Sequence, residues 1–234
     1  MIEKFKAPLS LVEATMAGIR SSIISGQLSL GQQLTEVFLQ KTFGFSKTPI
    51  REALTQLKAE GLVVAEFNKG FRVFKMDEKE LFEFCEYRLA LESQAMRTSY
   101  KINRLELVNE LKNSIKESEE SIKSNDLEKY ILTDSKFHKS FFLISSNRYL
   151  TTSYETINGI IETIRTNSIK TIRTHTGGVI VENIKLIDSV KSHISILKYV
   201  EEKNLNMALD ELDKHINSWH GDWINISTVG LKIV

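Results

Sequence analysis

Four side chains in the C-terminal two thirds of this chain have the types and spacing of a metal site. Asp134 and His138 stand four apart in T-D-S-K-F-H-K. On a helix such residues share one face, with Cβ atoms about 5–6 Å apart, close enough to serve one ion. His193 lies in V-K-S-H-I-S-I-L and His215 in L-D-K-H-I-N-S-W. Both segments read as helices joined by a short turn near Lys203-Asn204, so they should run antiparallel. Each histidine is about ten residues from that turn, which puts the two at one height. One carboxylate and three imidazoles at one level of a helical bundle suit a divalent cation, with zinc first and nickel or manganese behind it. A single histidine on an amphipathic helix is more often packing or surface; the matched heights weigh against coincidence without deciding the matter.

A second constellation falls at Ser46 to Leu54, S-K-T-P-I-R-E-A-L. Ser46 is a natural N-cap, whose hydroxyl can accept from an orphan backbone N–H. Pro49 falls in the first turn, where a missing N–H is tolerated. Lys47, Thr48 and Arg51 then sit at or near the helix N-terminus, the pole that favours phosphate. Ile50, Ala53, Leu54 and Leu57 form the apolar face, and Gly61 stops the helix.

The elements that must position these residues follow from periodicity. Leu11 to Ile24 reads as a helix capped by Ser10, and Leu34 to Phe43 as a shorter one ended by Gly44. L-V-V-A-E-F-N-K-G-F-R-V-F has strand composition with a turn at Asn68-Lys69-Gly70. Three helices and a hairpin make a winged helix-turn-helix over residues 1–76. From Asp77 onward there is no proline, and helices are expected over 78–100, 105–124, 127–145, 150–172, 180–200 and 205–219. Residues 77–234 are therefore expected to form an all-α bundle of six or seven helices, with Leu81, Phe84, Cys85, Leu89 and Met96 as core positions of its first helix. Thr174 to Gly178 reads as a break.

Composition is that of an ordinary globular chain, 41% hydrophobic and 26% charged. No apolar run is long enough for a membrane helix, and no signal-peptide core is present, so a cytoplasmic protein with no membrane partner is expected. The one cysteine, Cys85, reads as a helix residue in a reduced compartment. The net charge of +1 hides an asymmetry: residues 1–76 hold 10 Lys/Arg against 6 Asp/Glu, and the remainder 21 against 24. A basic head on a mildly acidic body suits DNA binding by the head.

The head resembles the gluconate-regulator (GntR) family of bacterial transcription factors. The matching runs are I-S-G-Q-L-S-L-G-Q-Q-L-T-E, F-G-F-S-K-T-P-I-R-E-A-L-T-Q-L-K-A-E-G-L-V and N-K-G-F-R-V. Two departures stand out: the family usually has Arg where Lys47 stands and Pro where Leu30 stands. Residues 79 to 220 resemble the FadR C-terminal (FCD) class of effector domains through Y-R-L-A-L-E, D-S-K-F-H-K-S-F, N-R-Y-L, S-H-I-S-I-L and A-L-D-E-L-D-K-H. The resemblance implies the metal-binding subset, with Asp134, His138, His193 and His215 on the ligand positions; His175 and His220 match nothing. It also implies that Arg88 faces a ligand cavity, where it could grip a carboxylate. The other reading of Arg88 is an exposed salt bridge with Glu92. Arg165 and Arg173 are further pocket candidates.

The two parts together imply a ligand-responsive regulator, expected to repress, that binds operator DNA as a homodimer and senses a small carboxylate at the metal. Ser46, Lys47, Thr48, Arg51, Lys69 and Gly70 are the expected DNA contacts, and no catalytic residue is assigned. The alternatives are a metal-dependent enzyme and a regulator whose ion only staples the bundle.

Overall fold

The computed structural model describes residues 10–67, 69–175 and 179–230, with side chains described outside 171–184 and 219–230. Two compact units divide the chain after Lys75, with residues 156–164 grouping with the first.

The first unit holds α1 (Leu11–Ile24), β1 (Gln33–Leu34), α2 (Glu36–Phe43), α3 (Lys47–Ala59), β2 (Val63–Glu66) and β3 (Gly70–Val73). Ser10 caps α1 with a full capping box: its hydroxyl accepts from the Glu13 N–H at 3.2 Å, and its own N–H donates to Glu13 Oε2 at 2.7 Å. A cap of this kind stabilises a helix by about 1 kcal/mol. Gly44 closes α2 at φ 73°, a left-handed conformation that glycine adopts without Cβ strain. Ile19, Ile23, Leu39, Ile50, Ala53, Leu54, Leu57 and Val73 are all fully buried, so the expected apolar face of α3 is the core face.

Two details of this head differ from the sequence reading. Leu34 does not begin α2; it is buried in β1 and pairs with Phe71, giving an antiparallel sheet in the order β1-β3-β2. Thr35, in extended conformation, is the cap instead, accepting from the Phe38 N–H at 3.2 Å. Ser46 does precede α3 as its N-cap, but its side chain makes no capping bond. The reason lies in the sequence. Ser10, Thr35, Asp77 and Asp126 each accept from the residue three further on. Three beyond Ser46 stands Pro49, which has no N–H to give.

The rest of the chain is helical: α4 (Glu78–Lys123), α5 (Leu127–Ser145), α6 (Arg148–His175), α7 (Val179–Glu201) and α8 (Leu205–Gly230), all in the second unit but for residues 156–164 of α6. The first two expected helices are one element, α4, broken at Asn103 (φ −154°, ψ 79°). Asn103 starts the second half as a cap would: its Oδ1 accepts from the Glu106 N–H at 3.1 Å. α6 runs through His175, so the expected break at Thr174 starts later, and 176–178 fall outside the described residues. Leu81, Cys85 and Met96 are buried as expected, whereas Phe84 and Leu89 are half-buried; Arg88 takes a buried place on that helix. Around them Ala95, Leu107, Leu111, Phe137, Phe141, Ile196, Leu212 and Ile216 make the core. α7 and α8 meet at a tight turn, where Lys203 is left-handed and Asn204 Oδ1 accepts from the Met207 N–H at 3.2 Å. That turn sets the antiparallel pair on which the site depends. Among the described residues, no helix is long and apolar enough to cross a membrane.

Candidate functional site

Three helices bring the imidazoles together. α5 supplies His138, α7 His193 and α8 His215, and all three are buried. Their Nε2 atoms converge: His193 to His215 is 3.1 Å and His215 to His138 is 3.3 Å. Asp134, one turn before His138, places Oδ2 3.9 Å from His138 Nε2 and Oδ1 3.8 Å from His193 Nε2. The matched heights inferred for His193 and His215 are therefore realised as direct proximity.

The chemistry of this donor set fits a cation. His138 Nδ1 lies 2.6 Å from Glu92 Oε2, and a carboxylate can only accept, so the ring donates there. A neutral His138 then presents a bare lone pair at Nε2, toward the other two imidazoles. Three ring nitrogens facing one another cannot all be satisfied by hydrogen bonds. Zinc–nitrogen bonds of about 2.0–2.1 Å separate nitrogens by about 2.9 Å at a right angle and about 3.4 Å at a tetrahedral one. The observed separations fall in that interval. Burial pushes the pKa of all three histidines well below the usual imidazole range, so they stand neutral, the form that binds metal. The Phe137 ring stacks on His193 at 3.8 Å between centroids, holding that imidazole in plane.

Around the imidazoles lies a buried ionic shell. Arg88 Nε donates to Glu92 Oε1 at 2.6 Å, and Arg165 pairs with Asp134. Although burial pushes the Asp134 carboxyl up, the Arg165 guanidinium beside it outweighs this and holds it below the usual range. Tyr130 and Ser189 donate weakly to Asp134 Oδ1, at 3.4 and 3.5 Å. The salt bridge between Arg88 and Glu92 exists, but it is buried and not exposed as its i, i+4 spacing suggested. A cavity of about 230 Å³ opens beside the site, lined among others by Asp134, Arg165, Lys185, Asp188, Ser189 and His215. Arg165 lines it and Arg88 does not. The Arg173, His175 and His220 side chains lie outside the described residues.

The residue that sequence reasoning missed is Glu92. Its spacing from Arg88 was legible, but its bond to His138, across 46 positions, was not.

In the head, Ser46, Lys47, Thr48 and Arg51 are exposed on the first turns of α3, and Lys69 and Gly70 are exposed at the wing tip. Gly70 is left-handed at φ 86°, and the Gln33 amide donates to the Lys69 carbonyl beside it. Glu36, opening α2, bridges two of the α3 cations: it pairs with Arg51 and sits 2.9 Å from Lys47 Nζ. These two cations hold the Glu36 carboxyl below its usual range against the opposing effect of burial.

A winged helix-turn-helix followed by a helical domain is the architecture of a class of bacterial transcription regulators. The model for bacterial regulatory proteins of the gntR family matches residues 11–73, and the FCD domain model matches residues 83–218. The chain belongs to the GntR family of transcription regulators, in the group with an FCD domain. It is 28% identical over 200 residues to the HTH-type transcriptional regulator YdhC of Bacillus subtilis, covering 85% of this chain and 84% of that protein. It is 25% identical to the gluconate operon transcriptional repressor of Bacillus licheniformis, covering 94% and 87%. Among solved structures, Escherichia coli McbR/YncC shares the fold at a TM-score of 0.71 and 17% identity, over 97% of this chain and 100% of that one. A GntR regulator from Rhodococcus sp. RHA1 does so at 0.72 and 15%, over 93% and 99%. The family and these relatives are transcription regulators and not enzymes, which sets aside the metal-dependent enzyme considered above.

Proposed function

We propose that this regulator binds a palindromic operator as a homodimer, represses, and responds to a small organic acid at a divalent metal held by Asp134, His138, His193 and His215. The observation that carries the metal is the convergence of three buried, neutral imidazole Nε2 atoms on one point. Bound there, zinc or a similar ion would supply a Lewis-acidic contact for a carboxylate. The chain's own residues do the rest. Glu92 holds His138 with its Nε2 lone pair inward, Asp134 supplies the anionic ligand, and Arg165 faces the cavity with a guanidinium suited to a carboxylate.

On the head, Lys47 and Thr48 lie at the N-terminus of α3, where backbone N–H groups favour phosphate. Ser46, relieved of capping by Pro49, has its hydroxyl available for the same contact. Arg51 is the side chain proposed to read guanine, and Lys69 with Gly70 the wing contact in the minor groove. A two-fold protein suits a two-fold operator. The effector shifts the equilibrium between arrangements of the paired heads only insofar as it binds one more tightly.

The test combines metal analysis with mobility shift on the protein's own upstream DNA. Purified protein should carry or take up about one ion per chain, as a single four-ligand site requires. Asp134→Ala, His138→Ala, His193→Ala and His215→Ala should each lose it. Protein that gains no metal from added zinc and melts identically in chelator refutes the metal site. A clean monomer in sedimentation, persisting on operator DNA, refutes the dimer.

A further inference from the structure

The shell around the imidazoles balances its own charge. Arg88, Glu92, Asp134 and Arg165 are 1%, 0%, 1% and 3% exposed. Each carboxylate has a guanidinium partner: Glu92 has Arg88, and Asp134 has Arg165. The two ion pairs cancel before any metal arrives. At the cavity, Lys185 and Asp188 are exposed and of opposite sign, so they add no net charge.

Among the described residues, a dication placed on three neutral imidazoles and Asp134 is therefore not neutralised. Asp134 is the one anionic ligand, and Arg165 already matches its charge. Counted over the described residues, the loaded site carries two formal positive charges on buried groups, where an uncompensated charge is costly even after relaxation. On this count neutrality calls for two negative charges from outside, and a cavity lies beside Asp134, Arg165 and His215 to admit them. At about 230 Å³ it is smaller than the sites of drug-sized ligands, about 300–1,000 Å³, so the counter-charge must come on a small molecule.

We infer that the metal-loaded pocket selects a dianion, a small dicarboxylate, over a monocarboxylate of the same size, with Arg165 as the chain's own contact for it. This rests on the metal reading above and narrows its ligand from organic acids in general to those that bring two charges. The selectivity is electrostatic and not a matter of shape. It depends on Arg165 keeping the Asp134 charge occupied, and it requires the ion.

The experiment is isothermal calorimetry on the zinc-loaded full-length chain, freed of excess zinc, with succinate and butyrate as probes of equal carbon count. Succinate should bind more tightly than butyrate by about tenfold or more. Removing zinc should abolish succinate binding. Arg165→Met, with its zinc content measured and equal to wild type, should shrink the preference to a few-fold. Should that variant fail to fold, the wild-type pair still decides. Butyrate binding as tightly as succinate, neither acid binding the zinc-loaded chain, or succinate binding equally without zinc would each overturn this inference while leaving the metal site standing. Failure of the wild-type chain to take up zinc at all would instead remove the reading on which it rests.

Discussion

Acid should destabilise the metal-free bundle far above the pH at which its carboxylates titrate. His138, His193 and His215 are held neutral by burial, with pKa values pushed well below the ordinary imidazole value. The unfolded chain regains histidines with a pKa of about 6.5. Below that value the unfolded state binds more protons than the folded one, so stability is full above it and is lost as pH falls. Between about pH 7 and 5.5, each unfolded imidazole gains about 1.2 kcal/mol by protonation. Three of them give about 4 kcal/mol, or a fall of about 8–16 °C in melting temperature for a unit of this size. Asp134 has the same sign but a lower range: its lowered pKa contributes stability that is lost only as pH falls through the ordinary carboxylate range and below, so it does not enter this window. The assay is thermal unfolding in chelator, followed by circular dichroism in steps from about pH 7 to 5.5. Zinc at a hundred times its dissociation constant should add about 2.7 kcal/mol at neutral pH. His215→Gln should remove about a third of the pH dependence, whatever its effect on stability itself. A melting temperature that changes by less than about 2 °C over this range would refute the reasoning, because three neutral buried imidazoles cannot be indifferent to protons.

Two further outcomes are expected. Arg51→Ala should cost about 1–3 kcal/mol of discrimination between operator and mismatched DNA with the fold intact, while Lys69→Ala weakens all sequences alike; Glu36→Gln, which releases Lys47 and Arg51, should raise non-specific binding. Mobility shift at two salt concentrations reads all three, and full sequence preference in Arg51→Ala would show that α3 presents another residue to the bases. Glu92→Ala should weaken zinc binding about 10–100-fold by freeing the His138 ring, measured by competition with a chelating dye; unchanged affinity would mean that the bond to Nδ1 does not orient the ligand.

Periodicity and caps were enough to place most helices within a few residues, because each signal acts over one turn. Ser10 with Glu13 and Asp77 with Glu80 are reciprocal caps written in adjacent letters, and both formed. The errors were equally local in origin but not local in cause. Leu34 has a helix-compatible neighbourhood, yet its pairing with Phe71, far along the chain, makes it a strand. Ser46 is a good capping residue whose partner position is a proline.

The candidate site divides in the same way. The sequence by itself determined that Asp134 and His138 share a helix face and that His193 and His215 are equidistant from a turn, since helical rise and antiparallel pairing follow from spacing. It also determined the apolar face of α3 and the charged residues of its first turns. Only the tertiary structure decided that α5 meets α7 and α8 at that height, that Glu92 reaches His138, that Arg165 neutralises Asp134, and that Glu36 bridges Lys47 and Arg51. The physical reason is that side-chain spacing within one helix is set by backbone geometry. The partner of a buried charge, by contrast, is set by which helices pack together, and that is chosen by the whole core at once.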